Sequence, residues 1–169
     1  MAAPRKEKAY EKYAWILVFV LAAWMFVFSI EGLNSSPEPD FIKLVTGMTL
    51  SQIGAQNQGT VWLILELYHE YSLTLFAFGA VMMAIAAFPL RKGHRFAWYI
   101  SWLVPAWWLG FSTSLAYLNA QTGLGLISYE LESGRAGALP LFLIFVLLGV
   151  LGQMLPYRKF FPKKQPVSP

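Results

Sequence analysis

The chain has 169 residues, of which 57% are hydrophobic and 13% are charged, and its formal net charge is +4 at pH 7. A soluble domain carries about 25% charged residues, so this composition predicts a membrane protein. The sequence contains no cysteine, which excludes disulfides, thiolate catalysis and cysteine-ligated metal centres. The basic balance does not indicate a nucleic-acid partner, because the charge clusters at the ends of apolar runs, where it contacts lipid headgroups.

Four apolar runs are long enough to cross a bilayer, which takes about 20 residues. They predict helices over residues 13–33, 61–90, 96–118 and 139–157, since backbone groups in lipid must be satisfied within each segment. The first run has no small-x-small cleavage site, so we interpret it as an uncleaved helix. The predicted fold is all-α, one polytopic four-helix membrane bundle over residues 1–159, with a disordered tail at 160–169.

The loop between the first two runs predicts short helices outside the bilayer. Residues 41, 44, 45 and 48 are apolar and recur at helical spacing, which is typical of a helix lying in the membrane interface. Thr49 and Gln52 fit a capping box, so a second short helix is predicted to begin there.

The basic residues predict the orientation. Eleven of the thirteen Lys and Arg residues lie before the first run, between the second and third runs, or after the fourth, together with only two acids. Because Lys and Arg favour cytoplasmic loops, both termini are predicted to be cytoplasmic. The predicted location is the cell inner (cytoplasmic) membrane, crossed several times.

Acidic residues and a histidine gather near the outer end of the second run. Glu66, His69 and Glu70 stand at i, i+3 and i+4 and share one helix face. Glu-x-x-His is the spacing of di-iron bundles, but those need a second such motif and two more carboxylates. Glu31 and Arg135 are the nearest available partners. We predict a polar cluster, either solvated in the headgroup region or holding a small ligand, with no metal and no cofactor.

The third run predicts a ligand-binding face. Its members stand at i, i+4, i+7 and i+11, and they are Ser101, Pro105, Trp108 and Ser112. Pro105 removes a backbone hydrogen bond and should bend the helix near Ser101. Three tryptophans can form the walls of the resulting cavity, namely Trp102, Trp107 and Trp108. This pattern is typical of a pocket for an apolar ligand such as a lipid or quinone. The alternative is ordinary packing, with Trp98 in the interfacial aromatic belt.

Two segments resemble known membrane proteins. Residues 88–99 read Phe-Pro-Leu-Arg-Lys-Gly-His-Arg-Phe-Ala-Trp-Tyr, followed by Trp102 and Pro105, and residues 155–160 read Leu-Pro-Tyr-Arg-Lys-Phe. They resemble a set of small prokaryotic four-helix membrane proteins of unknown function, and the general plan is similar to the DoxX-like group. The resemblance implies a fold and no activity.

The middle of the predicted spans bears on function. No charged residue or histidine lies in their central turns, where ion-coupled transporters need one. The sequence therefore favours a non-enzymatic accessory or interaction protein, whose partners are the lipid bilayer and either a membrane protein or a second copy of the chain. Two alternatives stay open. One is a membrane redox or lipid-modifying protein that uses the outer acidic and histidine residues, and the other is a carrier or binder of apolar small molecules.

Overall fold

The computed structural model describes residues 8–37, 39–121 and 138–162. Within these ranges the regular structure is helical, which confirms the all-α prediction for this part of the chain. The elements are α1 (Ala9–Tyr13), α2 (Trp15–Asn34), α3 (Pro39–Thr46), α4 (Leu50–Gln56), α5 (Gln58–Ile85), a π-helical turn (Ala86–Leu90), α6 (Arg95–Ser101), α7 (Leu103–Gln121), α8 (Ala138–Met154) and α9 (Tyr157–Phe160). Arg135, a predicted partner of the polar cluster, lies outside the described residues.

Three segments of the described chain are long and apolar enough to cross a membrane: Ala9–Asn34, Gln58–Leu90 and Leu141–Phe160. They correspond to the first, second and fourth predicted spans. The third predicted span is helical, but it is divided into α6 and α7, and α7 is less apolar because it carries several tryptophan, serine and threonine side chains. By length and composition, the structure supports three of the four predicted crossings.

The two short helices of the first loop are confirmed. α3 includes residues 41, 44 and 45 of the predicted interfacial helix but ends at Thr46, before Met48, and α4 begins after Thr49. The Thr49 backbone N–H donates to Gln52 Oε1 at 2.8 Å, and the Gln52 N–H donates to Thr49 Oγ1 at 3.3 Å. These two bonds are the reciprocal pair of a capping box.

α2 and α5 run antiparallel and approach closely at two glycines. A Cβ added to Gly79 would lie 2.8 Å from the backbone nitrogen of Phe26, so the helix backbones are nearly in contact there. A Cβ added to Gly32 would collide with Ser72 Oγ. Residues without side chains permit this approach.

α8 packs against both α2 and the α6–α7 segment. A Cβ on Gly152 would lie 3.2 Å from Leu17 Cβ, and one on Gly149 would lie 2.9 Å from Pro105 Cβ. The C-terminal half of α8 therefore meets the N-terminal parts of α2 and α7, so it is antiparallel to both. As a result, α2, α5, α7 and α8 alternate in direction.

Two prolines interrupt the long helices. Pro105 cannot donate to the Ser101 carbonyl, and the helix is broken at Trp102, between α6 and α7. Pro89 lies inside the π-helical turn, where the Arg91 N–H donates to the Ala86 carbonyl at 3.2 Å. The interruption near Ser101 agrees with the effect predicted for Pro105.

Three basic segments meet at one end of the molecule. Arg95 Nε donates to the Phe160 carbonyl at 2.9 Å, and Lys159 Nζ donates to the Arg91 carbonyl at 3.2 Å. The Arg91 guanidinium lies 5.4 Å from the ring centroid of Trp15, at the start of α2. The start of α2, the α5–α6 link and the end of α8 are therefore neighbours.

The predicted disordered tail begins too early. Phe160 ends α9 and is 2% exposed, and the Phe161 ring centroid lies 5.1 Å from that of Trp98. Both rings pack on Trp98, which is itself buried rather than in an exposed interfacial belt. The burial of Phe160 and the ring contact of Phe161 with Trp98 explain why the fold extends past residue 160. Residues 163–169 lie outside the described residues.

Candidate functional site

An open groove of about 570 Å³ lies between α5 and α7. α5 contributes Tyr71 and Phe78. α7 contributes one face of its helix, namely Leu103, Ala106, Trp107, Gly110, Phe111 and Ser114. The volume falls in the range of small-molecule pockets, about 300–1,000 Å³. The lining is almost wholly apolar and aromatic.

The aromatic rings that line the groove are roughly parallel. The Tyr71 ring makes angles of 25° with Trp107 and 23° with Phe111, at centroid distances of 6.5 and 6.4 Å. Phe78 stacks on Trp107 at 5.1 Å with an angle of 24°. Stacked pairs of this kind contribute about 0.5–1.5 kcal/mol each beyond their buried area. The aromatic wall therefore holds its own shape without a ligand.

A smaller cavity, of about 30 Å³, lies behind this wall, between α2, α5, α7 and α8. It is lined by Trp24, Phe28, Tyr71, Leu75, Trp107, Trp108, Phe111 and Phe142. Tyr71, Trp107 and Phe111 line both spaces, so they form the partition between the groove and the inner cavity. The cavity has room for one water-sized group.

Trp108 lines this cavity with part of its side chain and also carries a buried hydrogen-bond donor. Its side chain is 5% exposed, and its ring stacks on Phe142 at 5.6 Å and meets Phe145 edge-on at 4.8 Å. Within the described part of the chain, Trp108 Nε1 has no hydrogen-bond partner. A buried donor without an acceptor costs about 1–3 kcal/mol, so an acceptor placed there would recover that free energy.

The predicted ligand face is brought together, but α8 covers it. Ser101, Pro105, Trp108 and Ser112 are all buried. Pro105 contacts Gly149 of α8, and the Ser112 hydroxyl donates to the Trp108 carbonyl at 2.8 Å. Of the four, Trp108 alone lines a cavity, and none lines the groove. This face is therefore a helix-packing surface, and the groove lies on the neighbouring face of α7.

A buried polar network joins α6 to α8, and the sequence analysis missed it. Ser101 Oγ donates to Gln153 Oε1 at 2.9 Å, and Trp98 Nε1 donates to the Gln153 carbonyl at 2.9 Å. Gln153 is 0% exposed, and its Nε2 has no hydrogen-bond partner among the described residues. A lone glutamine in an apolar run is the sequence feature that could have found it, because polar side chains there bond between helices.

The residues of the predicted polar cluster line neither the groove nor the inner cavity. Its members are all exposed, and they are Glu31, Glu66, His69 and Glu70. The face of α5 that meets α2 carries Tyr68 and Ser72 next to Gly32 instead. Among the described residues, no group of three or more His, Cys, Asp or Glu side chains could hold a metal ion.

Comparison with protein-family models, with curated proteins and with solved structures finds no match to this chain. The resemblance to small four-helix membrane proteins and to the DoxX-like group therefore stays a prediction. The function of the groove has to be inferred from its own geometry.

Proposed function

We propose that the chain is a multi-pass protein of a prokaryotic inner membrane, with four crossing helices and both termini in the cytoplasm. Three segments have the length and composition of a span. The α6–α7 segment packs antiparallel along α8, with Pro105 against Gly149 and Trp108 against Phe142, so a bilayer that contains α8 would contain it as well. The basic segments that meet at one end support the orientation.

The function we propose for this protein is the binding of an apolar small molecule in the α5–α7 groove. The observation that carries the proposal is the groove itself, which has the volume of a ligand site and an aromatic lining. Leu103, Ala106 and Gly110 are exposed along it, so in a bilayer the groove opens to the lipid phase. A ligand dissolved in the membrane can enter it without crossing water.

Binding fits the groove better than catalysis does. The described residues that line it include no Asp, Glu, Lys, Arg or His side chain. General acid–base catalysis needs a group that exchanges protons near the working pH. The outer carboxylates and His69 are exposed and are not among the residues that line the groove, so the groove gives no support to the redox or lipid-modifying alternative.

Gly110 offers a direct test. A Cβ at Gly110 would meet no atom within 4 Å, so Gly110→Phe should fill the groove without disturbing the helix packing. We expect native mass spectrometry of the detergent-extracted protein to find a bound apolar molecule, and Gly110→Phe to lose most of it. Leu109→Phe introduces the same side chain at an exposed position outside the groove and should keep the ligand. Equal retention by both variants would rule out the groove as the binding site.

The accessory-protein hypothesis stays a prediction. The same measurement addresses it, because a protein partner at fixed stoichiometry, or a second copy of the chain, would appear as added mass.

A further inference from the structure

We propose that Arg91 and Arg95 form a binding site for the headgroup of one anionic phospholipid. Both residues belong to the α5–α6 link, at the end of the molecule where the three basic segments meet. Neither residue lines the α5–α7 groove or the inner cavity. The site is therefore separate from the ligand site of the proposed function, and it takes a different ligand.

Both guanidinium groups are held in place by uncharged partners. Arg95 Nε donates to the Phe160 carbonyl at 2.9 Å, and its guanidinium carbon lies 5.5 Å from the ring centroid of Phe161. The guanidinium carbon of Arg91 lies 5.4 Å from the ring centroid of Trp15, within the range of a cation–π contact. An arginine that is already held in this way loses less conformational entropy when it binds an anion. Uncharged partners also leave both positive charges uncompensated.

The remaining donors of the two guanidinium groups are open to a ligand. Within the described part of the chain, the Nη groups of Arg95 and the whole guanidinium of Arg91 have no hydrogen-bond or carboxylate partner. Both side chains are exposed. A planar guanidinium pairs with phosphate oxygens through two parallel hydrogen bonds, so a phosphate group satisfies these donors.

The α5–α6 link brings the two arginines to one place. The Gly93 N–H donates to the Leu90 carbonyl at 3.0 Å, and Gly93 takes a positive φ of 84°, which favours glycine. Lys159 Nζ donates to the Arg91 carbonyl at 3.2 Å and fixes the link to the end of α8. Even an extended chain would separate the Cα atoms of Arg91 and Arg95 by no more than about 14 Å, and the turn brings them closer. Two long side chains at this spacing can reach the same headgroup.

The depth of the site matches a lipid phosphate. The apolar segment Gln58–Leu90 ends immediately before Arg91. The headgroup region begins where the hydrocarbon core ends, so a bilayer that contains this segment places its phosphates beside the link. Phe88 and Phe96, on the two sides of the link, are 65% and 55% exposed. In a bilayer they meet the acyl chains of a lipid bound there, a contact that a soluble phosphate cannot make.

The charge of this end selects an anionic headgroup over a zwitterionic one. The described residues before α2, in the α5–α6 link and after α8 include seven Lys and Arg side chains and one carboxylate, that of Glu11. Glu11 is buried, and its Oε2 accepts from the Lys8 N–H at 3.1 Å. A phosphatidylcholine would bring a second cation into this surplus of positive charge, whereas phosphatidylglycerol carries a phosphate and no cation.

The test compares two phospholipids that share their acyl chains and differ in the charge of the headgroup. Binding of dioleoyl phosphatidylglycerol and of dioleoyl phosphatidylcholine to the full-length protein in detergent is titrated by native mass spectrometry. We expect one phosphatidylglycerol molecule to bind about tenfold more tightly than phosphatidylcholine, the value of one charge-assisted hydrogen bond. Equal affinity for the two lipids would overturn the proposal.

Four variants that each remove one charge separate a discrete site from general attraction to anionic lipid. Arg91→Gln and Arg95→Gln remove the two held guanidinium groups, and each should weaken phosphatidylglycerol binding about tenfold. The matched controls are Lys92→Gln and Arg158→Gln. Both side chains are exposed at the same end and have no hydrogen bond, ion pair or ring contact among the described residues, so their loss should change the affinity by less than about twofold. Equal losses in all four variants would show diffuse attraction and refute the site.

Two further variants test the geometry and the location of the site. Arg91→Lys keeps the charge but loses the planar pair of donors, so it should lose most of the preference for phosphatidylglycerol. Wild-type affinity in Arg91→Lys would contradict the pairing of phosphate with this guanidinium. Gly110→Phe fills the α5–α7 groove and should leave phosphatidylglycerol binding unchanged. Loss of this lipid in Gly110→Phe, together with full binding in Arg91→Gln, would place the lipid in the groove, so the site at the link would fall while the proposed function stands.

Discussion

Gln153 links two helices through both its main chain and its side chain. Its carbonyl accepts from Trp98 Nε1 and its Oε1 accepts from Ser101, while Nε2 is left without a partner among the described residues. In an apolar interior the free energy gained from these two hydrogen bonds is offset by the cost of leaving Nε2 without a partner. The network therefore positions α6 on α8 more than it stabilises the protein.

We predict an asymmetry between the two partners. Ser101→Ala leaves the Gln153 side chain wholly unpaired and should lower the free energy of unfolding by about 1–3 kcal/mol. Gln153→Leu removes both buried amide atoms, and Ser101 keeps its bond to the Trp98 carbonyl, 2.9 Å long, so its effect should be smaller than that of Ser101→Ala. The double variant should resemble Gln153→Leu. The midpoint of detergent-induced unfolding measures this, with the exposed Ser36→Ala as control. Equal losses in both single variants would contradict it.

At the scale of the helices, the sequence predicted which helices form and where they begin and end better than it predicted which face of each helix packs against its neighbours. Apolar runs, prolines and the capping box at Thr49 and Gln52 are local features, so the helices fall close to their predicted positions. Which face of α7 meets α8 depends on the rotation of the helix. The polar and apolar side chains of α7 are not separated onto opposite faces, so the sequence carries no such information. For this reason the predicted ligand face is a buried packing surface in the structure; its residues are Ser101, Pro105, Trp108 and Ser112. Tyr71 and Phe78 were missed because no pattern in α5 specifies its neighbour.

Close helix contacts give a matched pair of glycine variants. Gly79→Ala would place a Cβ 2.8 Å from the Phe26 backbone nitrogen, so one helix must move away, and overpacking of this kind costs about 1–3 kcal/mol. Gly110→Ala meets open space and should be neutral or stabilising, by up to about 1 kcal/mol, because alanine is the better helix former. Thermal unfolding in detergent compares the two. A Gly79→Ala protein as stable as Gly110→Ala would mean that α2 and α5 do not approach as described.

At the scale of the whole molecule, the alternation of α2, α5, α7 and α8 connects the charge pattern to the packing. Antiparallel neighbours return the chain to the same end after each pair of helices. Arg91, Arg95 and Lys159 thereby share one surface, which Trp15 adjoins through Arg91. Clustered basic residues at one end contribute about 1 kcal/mol each toward an anionic membrane surface. The fold thus concentrates charge that is dispersed along the sequence.

This arrangement predicts the topology, and the chain is well suited to its measurement because it has no native cysteine. A cysteine at exposed Ser36, beyond the end of α2, should react with a membrane-impermeant maleimide added to intact cells. A cysteine at exposed Lys92, in the link before α6, should react only after the membrane is permeabilised. Tags on either terminus should likewise be accessible only after the membrane is permeabilised. For the carboxy terminus this requires the α6–α7 segment to cross the membrane, so that α8 brings the chain back to the cytoplasmic side. Labelling of Lys92→Cys from outside would reverse the orientation, and a carboxy-terminal tag that is accessible from outside would leave only three crossings.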